Sequence, residues 1–306
     1  MSRNSSTLKI LSIIAVLVIV TLVFSYYIQP WFQRWGATDE EIRATWPGDD
    51  LVPGSSVVYT RAITINAPPS VVWPWLVQIG QDRGGFYSYE LLENILGSDT
   101  HNADRIVPEW QHLDVGNKVR IGPKEGVWAN SSNIVGGIVP ERFLVLITPG
   151  ESPTTVSASI RGNGTWSFSL VPVDGKTTRL IIRGRRMESP NQSIGLLYGS
   201  VVDSVQFILE RKMMVGIKER AEGTLNQQTD DIIQVLLWMA AFFGLIIAII
   251  LVLVQKKWKF ALLIAMAAVL IIWYLCFLQP PILHGILLDF AILMALARAI
   301  WDIFST

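Results

Sequence analysis

The sequence has little cysteine, little histidine and no net charge, and each of these shortages excludes a class of protein. Its 306 residues include one cysteine and three histidines. Because Cys276 lies inside an apolar run, disulfides and thiolate metal sites are excluded. Residues 31–230 carry 19 lysines and arginines against 22 aspartates and glutamates. No basic surface of the kind that attracts nucleic acid is therefore expected.

Apolar residues are abundant instead, and they collect at the two ends of the chain. Hydrophobic residues make up 51% of the sequence, and the mean hydropathy is +0.40. The segment 10–28 has no charge and, at about 1.5 Å per residue, can cross a hydrocarbon core of roughly 30 Å. It ends in Tyr26, Tyr27 and Trp31, which are typical of a membrane interface. An uncleaved anchor over residues 1–30 is favoured over a signal peptide, whose apolar region is usually about 7–15 residues long.

The C-terminal region 232–306 contains three further apolar runs. We expect membrane helices at about 232–254, 260–278 and 282–301, with an interfacial helix as the alternative for the last run. Positive residues precede the first span, fill the turn 255–259 and end the last span. The positive-inside rule then predicts four crossings of a plasma membrane, most simply a bacterial one, with both termini cytoplasmic and the middle of the chain external.

The middle of the chain shows the patterns of an α+β domain. Residues 31–54 form a polar juxtamembrane connector, in which Thr38 begins a short helix. The alternation at 55–66 predicts a strand with Arg61 on its apolar face. A helix capped by Ser70 is expected next, with Pro74 in its first turn, where a missing amide is tolerated.

The rest of this domain is predicted to consist of strands and one long helix. Asp174-Gly175 is a strong two-residue hairpin signal between the last two strands. A polar hinge at 223–231 leads into the next membrane span. The remaining predicted elements are a helix at 88–96, strands at 118–121, 127–138, 142–148, 165–173 and 177–186, and an amphipathic helix at 193–222.

This order of elements resembles the helix-grip fold of the SRPBCC superfamily, which includes START lipid-binding domains, polyketide cyclases and plant pathogenesis-related allergens. The resemblance covers residues 55–222 and is carried by the segments APPSVVWPWL, GQDRGGFYS, HNADRIVPEWQ and TWSFSLVPVDGKTTRLIIRGR, which are similar to membrane-anchored bacterial members. It implies a curved antiparallel sheet around a long C-terminal helix, with an apolar cavity between them. It brings no catalytic motif, because family members differ in chemistry.

The aromatic and polar stretch Trp73–Gln111 supplies most candidates for a ligand site. Ligand pockets are mostly apolar with a few polar groups, which this stretch could supply. For its aromatic residues, ordinary core packing is the alternative. For Asp82 and Arg83, which precede Gly84-Gly85, the alternative is an ion pair that stabilises the turn. A buried arginine needs a partner, either Asp82 or Asp104 of the protein or a lipid phosphate or fatty carboxylate. The ligand-binding candidates are Arg61, Trp75, Asp82, Arg83, Tyr87, His101, Asp104, Trp110 and Trp128.

His101 and His112 are the candidates for acid–base chemistry. Either imidazole, paired with Asp104 or Glu109, could transfer protons near neutral pH, although a hydrogen-bonded loop network is the alternative. No third ligand stands at a metal-binding spacing, so neither a metal nor another cofactor is expected. No nucleophile–base pair is recognisable.

The sequence therefore predicts a multi-pass membrane protein whose external domain binds a hydrophobic small molecule or a lipid. Its partners are the bilayer and that ligand, and catalysis is not expected. Two alternatives are a cyclase- or hydrolase-type enzyme that uses a His–Asp pair at the cavity mouth, and a non-catalytic membrane assembly or interaction protein.

Overall fold

A computed structural model of the protein describes residues 3–95, 97–123, 131–149, 163–187, 195–225, 228–256 and 258–304. The elements run in the order α1 (Arg3–Val23), α2 (Gln29–Gln33), α3 (Asp39–Arg43), β1 (Val57–Ile65), α4 (Pro69–Val77), α5 (Glu90–Ile95), β2 (Lys118–Arg120), β3 (Ser132–Val139), β4 (Phe143–Thr148), β5 (Gly164–Asp174), β6 (Thr177–Arg186), α6 (Gly195–Glu222), α7 (Gln228–Val254), α8 (Trp258–Trp273) and α9 (Ile282–Phe304). They form two units, Met1–Ile28 with Gln227–Thr306, and Gln29–Asn226.

The first unit is helical. In the described part of the chain, four helices are long and apolar enough to cross a membrane. They are α1, α7, α8 and α9, with π-helical turns extending α1 to Ile28 and α8 to Leu278. The last apolar run is one continuous helix of 23 residues, so its length is that of a spanning segment.

Two hydrogen bonds join three helix ends of this unit. The Lys9 ammonium donates to the carbonyl of Gln255, just after α7, at 2.7 Å. The Gln255 side chain donates to the carbonyl of Ala299 near the end of α9, at 2.9 Å. The start of α1, the turn after α7 and the end of α9 therefore lie on the same side of the helical unit.

The second unit is built on a six-stranded antiparallel sheet with the strand order β1-β6-β5-β4-β3-β2. The hairpin predicted at Asp174-Gly175 joins β5 to β6, and the backbone N–H of Lys176 donates to the Asp174 carboxylate at 2.7 Å. The long helix α6 packs on one face of this sheet. The predicted fold class, a helix-grip domain accompanied by apolar helices, is confirmed.

Apolar side chains fill the space between the sheet and α6. Strand alternation brings one set of residues to this face, and helical spacing brings a matching set from α6. These side chains are 0–4% exposed: Ile65, Leu144, Leu146, Phe168, Leu170, Leu180 and Ile182 from the sheet, and Met213, Met214 and Ile217 from α6.

Residues 38–51 of the connector lie against the opposite face of the sheet. The Glu41 carboxylate accepts from Arg179 of β6 at 2.7 Å, and the Asp49 carboxylate lies 2.8 Å from Arg183 and 3.3 Å from Arg185. The Thr38 cap predicted for α3 is present, since its hydroxyl accepts from the backbone N–H of Glu41. Ion pairs thus fasten the connector across the outer side of β6.

Helix α4 begins two residues earlier than the sequence suggested. Its cap residue is Pro68, with Pro69 at the first helical position, so Ser70 lies inside the helix and makes no cap. Pro69 suits that position because its missing N–H would have no partner there. Pro74 consequently falls in the interior of α4 and not in its first turn.

Candidate functional site

The most concentrated polar site of the second unit is a buried ion pair between the sheet and α6. Arg61 of β1 is 1% exposed and Glu210 of α6 is 3% exposed. Their side chains meet at 2.8 Å. Arg61 also donates to the carbonyl of Phe32 in α2 at 2.9 Å, and its guanidinium lies over the rings of Tyr59 and Phe207 at 4.1 and 4.9 Å. The protein itself therefore provides the counter-charge of the arginine and accepts hydrogen bonds from it at Phe32 and Glu210.

Glu210 accepts hydrogen bonds from two strands, β1 and β5. Its second carboxylate oxygen accepts from the hydroxyl of Tyr59 at 2.9 Å and from the indole N–H of Trp166 at 2.8 Å. Gln206, one turn earlier in α6, donates to the Tyr59 oxygen at 2.7 Å. Burial and the Glu210 carboxylate raise the pKa of Tyr59 well above its ordinary value. We call these five residues, Tyr59, Arg61, Trp166, Gln206 and Glu210, the Glu210 network.

A glycine makes room for this network. The ring of Tyr59 lies across Gly184 of β6, where an added Cβ would lie 2.2 Å from the ring. Any side chain at this position would displace Tyr59 from Glu210. The residue opposite Tyr59 in the register is this same Gly184, so the close approach is built into the strand pairing.

The sequence-based interpretation placed Arg61 on the apolar face correctly, but it chose the wrong partner. Glu210, and not Asp82 or Asp104, provides the carboxylate. Helical spacing could have identified it: Glu210 lies three residues after Phe207 and seven before Ile217, and all three are buried.

The Glu210 network lies close to one end of the sheet, two residue rows in from the last row. Val57, Arg186, Gly164 and Thr148 form the last row in the register of β1, β6, β5 and β4. The connections β2–β3, β4–β5 and β6–α6 all leave the sheet at this end, which we call the loop end. Tyr59 and Trp166 lie two rows further in, in the next row whose side chains point to the same face of the sheet.

The last row of the loop end, its rim, carries polar side chains, and the interior on the other side of the Glu210 network is packed with apolar ones. Arg186 and Asp203 of α6 pair across the rim at 2.5 Å, and Thr148 is exposed. Trp166 is partly buried, whereas Phe168, the next inward-facing residue of β5, is 0% exposed. Below the network the described side chains between the sheet and α6 are closely packed, where an apolar cavity was expected from the sequence.

The predicted stretch Trp73–Gln111 folds back on itself through Asn102. The Asn102 side-chain oxygen accepts from the backbone N–H groups of Phe86 and Tyr87 at 3.2 and 2.7 Å, and its amide donates to the Ser88 carbonyl at 2.8 Å. These bonds hold Tyr87 at a positive φ of 56°. Asn102 belongs to the segment HNADRIVPEWQ that was singled out in the sequence, but it was not among the ligand candidates.

Trp75 and Tyr87, both ligand candidates, have the contacts of core residues. Their rings meet edge-to-face with centroids 5.8 Å apart, and the Tyr87 hydroxyl donates to the Trp75 carbonyl at 3.0 Å. Burial raises the pKa of Tyr87. Gly216 of α6 packs so close that an added Cβ would lie 2.2 Å from the Tyr87 carbonyl oxygen, so this part of the domain is tied firmly to α6.

Asp82 and Arg83 do not pair with each other. Asp82 binds Arg120 of β2 through both carboxylate oxygens, at 2.6 and 2.5 Å. Arg83 donates to the carbonyl groups of Val77 and Trp110, the former at 3.2 Å. Burial lowers the pKa of Arg83. Both side chains hold the loop in place, but with partners that the sequence interpretation did not choose.

The histidine–aspartate pair expected at a cavity mouth is not formed by His101 and Asp104. The His101 ring lies 3.2 Å from Glu90 and 3.7 Å from Asp99, and its side chain is 78% exposed. Asp104 is exposed as well. Trp128, the last ligand candidate, lies outside the described residues.

No protein-family model and no curated protein matches the chain. Among solved structures, it is similar to a polyketide-cyclase-like protein from Corynebacterium glutamicum, with 16% identity over 55% of this chain and 88% of that chain, at a TM-score of 0.26. It is also similar to the Aha1 dimer from Colwellia psychrerythraea, with 13% identity over 56% and 99% of the two chains and a TM-score of 0.30. It is similar as well to a conserved protein of unknown function from Enterococcus faecalis, with 13% identity over 65% of this chain and 86% of that chain, at a TM-score of 0.33.

Proposed function

We propose that this protein is a membrane-anchored helix-grip protein that binds a hydrophobic small molecule or a lipid at the loop end of its sheet. The ligand would rest on Trp166 and the Glu210 network, between α6 and the last sheet row. The observation that carries this proposal is Trp166, a large aromatic ring left partly exposed above a fully buried core. Its N–H is held by Glu210, so the ring is fixed in position before any ligand arrives.

The electrostatics of the network favour an uncharged part of the ligand. Arg61 carries the positive charge of the network and Glu210 the negative one, and they neutralise each other at 2.8 Å. A lipid phosphate or a fatty carboxylate would have to compete with Glu210 for Arg61, and would leave Glu210 buried without its counterion, which costs several kcal/mol. An acyl chain or a ring system is therefore the part that we place against Trp166.

Binding is better supported than catalysis. Both carboxylate oxygens of Glu210 already accept hydrogen bonds, and the exposed His101 pairs with Glu90 of α5 and Asp99. Anchoring by α1 and α7 at the two ends of the domain would keep it at a membrane, where apolar ligands concentrate. We place the domain outside the cell and both termini in the cytoplasm, following the distribution of positive residues.

Quenching of tryptophan fluorescence by a brominated fatty acid tests this proposal on the full chain in mild detergent. Bromine quenches indole fluorescence only at close range, so a bound chain should quench Trp166 in a saturable way. We expect Trp166→Phe to lose the saturable component. Trp46→Phe is the matched control, because Trp46 also donates its indole N–H, to Glu41 at 2.7 Å, but belongs to the connector on the other sheet face.

The alternatives give different results. Equal saturable quenching in the wild type and in Trp166→Phe would move the ligand to another site. No saturable quenching, together with no lipid recovered from the gently purified protein by mass spectrometry, would contradict the proposed binding function and favour an assembly role.

A further inference from the structure

Helix α9 carries an acidic residue in the middle of its buried face. Five α9 residues at spacings of four and three form that face: Gly285, Asp289, Ile292, Leu296 and Ala299. Asp289 is 6% exposed, and neither of its carboxylate oxygens has a hydrogen-bond partner in the part of the chain that the structure describes. An acid so placed among candidate membrane spans needs a physical explanation, because an unpaired carboxylate in an apolar interior costs several kcal/mol.

The helices packed against α9 offer Asp289 no charged partner. The buried face of α7 consists of Val235, Trp238, Ala241, Gly244 and Ala248, and that of α8 of Trp258, Ala261, Ile264, Ala265 and Ala268; none of these side chains titrates. The other ionisable side chains in the described parts of α7, α8 and α9 lie towards the helix ends. They are Asp230 and Asp231 at the start of α7, Lys259 at the start of α8, Tyr274 and Cys276 in the turn after α8, and His284, Arg298 and Asp302 in α9. His284 bonds to Tyr274 at 2.7 Å, and Arg298 is exposed.

The packing around Asp289 limits what can bind there. On one side, a Cβ added to Gly285 would lie 2.7 Å from Leu237 of α7, and on the other, a Cβ added to Gly244 would lie 2.9 Å from Ile292. A metal cation would need several oxygen ligands, and an organic cation would need space between helices that are already in contact. A proton meets both conditions, because it neutralises the carboxylate and takes no room.

We propose that Asp289 is a proton-binding site inside the helical unit, and that it exchanges its proton with water on the side opposite the lysine turn 255–259. A crevice at that end of the bundle supports the direction of exchange. It is lined by Gln234, Leu237, Trp238, Pro280, Pro281 and Gly285. Gly285 lies one helical turn before Asp289 on the same buried face, about 6 Å along the helix axis.

The test is labelling with dicyclohexylcarbodiimide, a hydrophobic reagent that reacts with protonated carboxyl groups. The carboxyl oxygen bonds to the carbodiimide carbon, its proton passes to a reagent nitrogen, and the adduct rearranges to a stable acylurea. With the full chain in lipid vesicles, peptide mass spectrometry should find the adduct on Asp289. Its yield should fall about tenfold between about pH 5 and about pH 9.

Separate controls test the side of the membrane from which the proton exchanges and the residue that carries the adduct. Changing the pH only on the side opposite the lysine turn should reproduce the fall, and Asp289→Asn should abolish the adduct, whereas Asp302→Asn at the end of α9 should leave it unchanged. Absence of the adduct at every pH would overturn the proposal. A yield that does not change with pH would identify a permanently neutral structural residue, and a response only to pH on the lysine-turn side would refute the direction of exchange.

Discussion

Arg61 and Glu210 show how strongly one buried charge depends on another. The pair is buried at both ends and shares its hydrogen bonds with Tyr59 and Trp166. Removal of one charge leaves the other in an apolar interior, which typically costs about 3–5 kcal/mol. Glu210→Leu should therefore lower the free energy of unfolding of the grip domain by about that amount, measured by denaturant titration of the full chain in detergent.

Two further variants separate the ion pair from general effects of substitution. In Arg61→Met with Glu210→Leu no buried charge remains, so the double variant should be more stable than Glu210→Leu alone. Glu109→Gln, on the exposed surface, should leave stability within about 0.5 kcal/mol of the wild type. If the double variant lost as much as the two single changes added together, the pair would not be coupled as its geometry implies.

Glu93 gives the domain a pH dependence of its own. Burial raises the pKa of Glu93 from its ordinary value of 4.5 to about 7, and the nearby hydroxyls of Thr100 and Ser88 oppose this only in part. Between these two pH values the folded state holds a proton that the unfolded state has released, so stability falls as the pH rises. Above about pH 7 both states are ionised, and the loss stays constant at up to about 3 kcal/mol.

Glu93→Gln should remove this dependence. The variant should match the wild type at about pH 4.5 and exceed its stability at about pH 8, as measured by thermal unfolding at both pH values. Asp104→Asn, an exposed acid of the following loop, serves as the control and should show no such gain. A Glu93→Gln variant that is destabilised equally at both pH values would show that the carboxyl is needed for its hydrogen bonds alone.

At the scale of secondary structure, local patterns predict the elements whose burial is simple. Alternation locates β1, the Asp-Gly turn locates the β5–β6 hairpin, and the apolar period locates α6. The fold class follows from these elements and their order. The start of α4 was misplaced because Ser70 resembles a cap, while Pro69 fits the first helical position better.

The role of the connector could not be predicted, because its contacts are distant along the chain. Glu41 and Arg179 are 138 residues apart, and no local pattern relates them. A polar segment beside a membrane anchor suggests a spacer, yet here it shields three arginines of β6. The arginines themselves were visible on the outer side of a strand, and their need for acidic partners was the available signal.

The candidate site was predictable in part, because a buried charge needs a partner of opposite charge. A charged residue on the apolar face of a strand indicates a buried partner, so Arg61 could be selected from the sequence. Charge alone does not single out Glu210, since α6 also carries the acidic residues Asp203, Glu219 and Glu222. The helical spacing of Glu210 with Phe207 and Ile217 was the available signal. The packing of Met213, Met214 and Ile217 shows that this is the face of α6 that meets the sheet.

The arrangement of the whole molecule depends on which ends of the four apolar helices share a side. The bonds of Lys9 to Gln255 and of Gln255 to Ala299 place the start of α1, the turn after α7 and the end of α9 together. If these helices cross a membrane, the chain crosses it four times, and residues 29–226 lie on the side away from the turn. The positive residues near the three joined ends then predict that this turn is cytoplasmic.

Single-cysteine labelling tests this topology, because Cys276 is the chain's one cysteine and Cys276→Ser gives a background without thiols. Added to intact cells, a membrane-impermeant maleimide should label Val173→Cys, in the exposed part of the β5–β6 hairpin. It should not label Lys256→Cys in the lysine turn or Asp302→Cys at the end of α9 until the membrane is opened. Labelling of the last two but not the first would reverse the orientation. If α9 crosses the membrane, Lys256 and Asp302 lie on the same side, as the hydrogen bond from Gln255 to Ala299 requires. Labelling of one of these two sites but not the other would therefore mean that α9 does not cross.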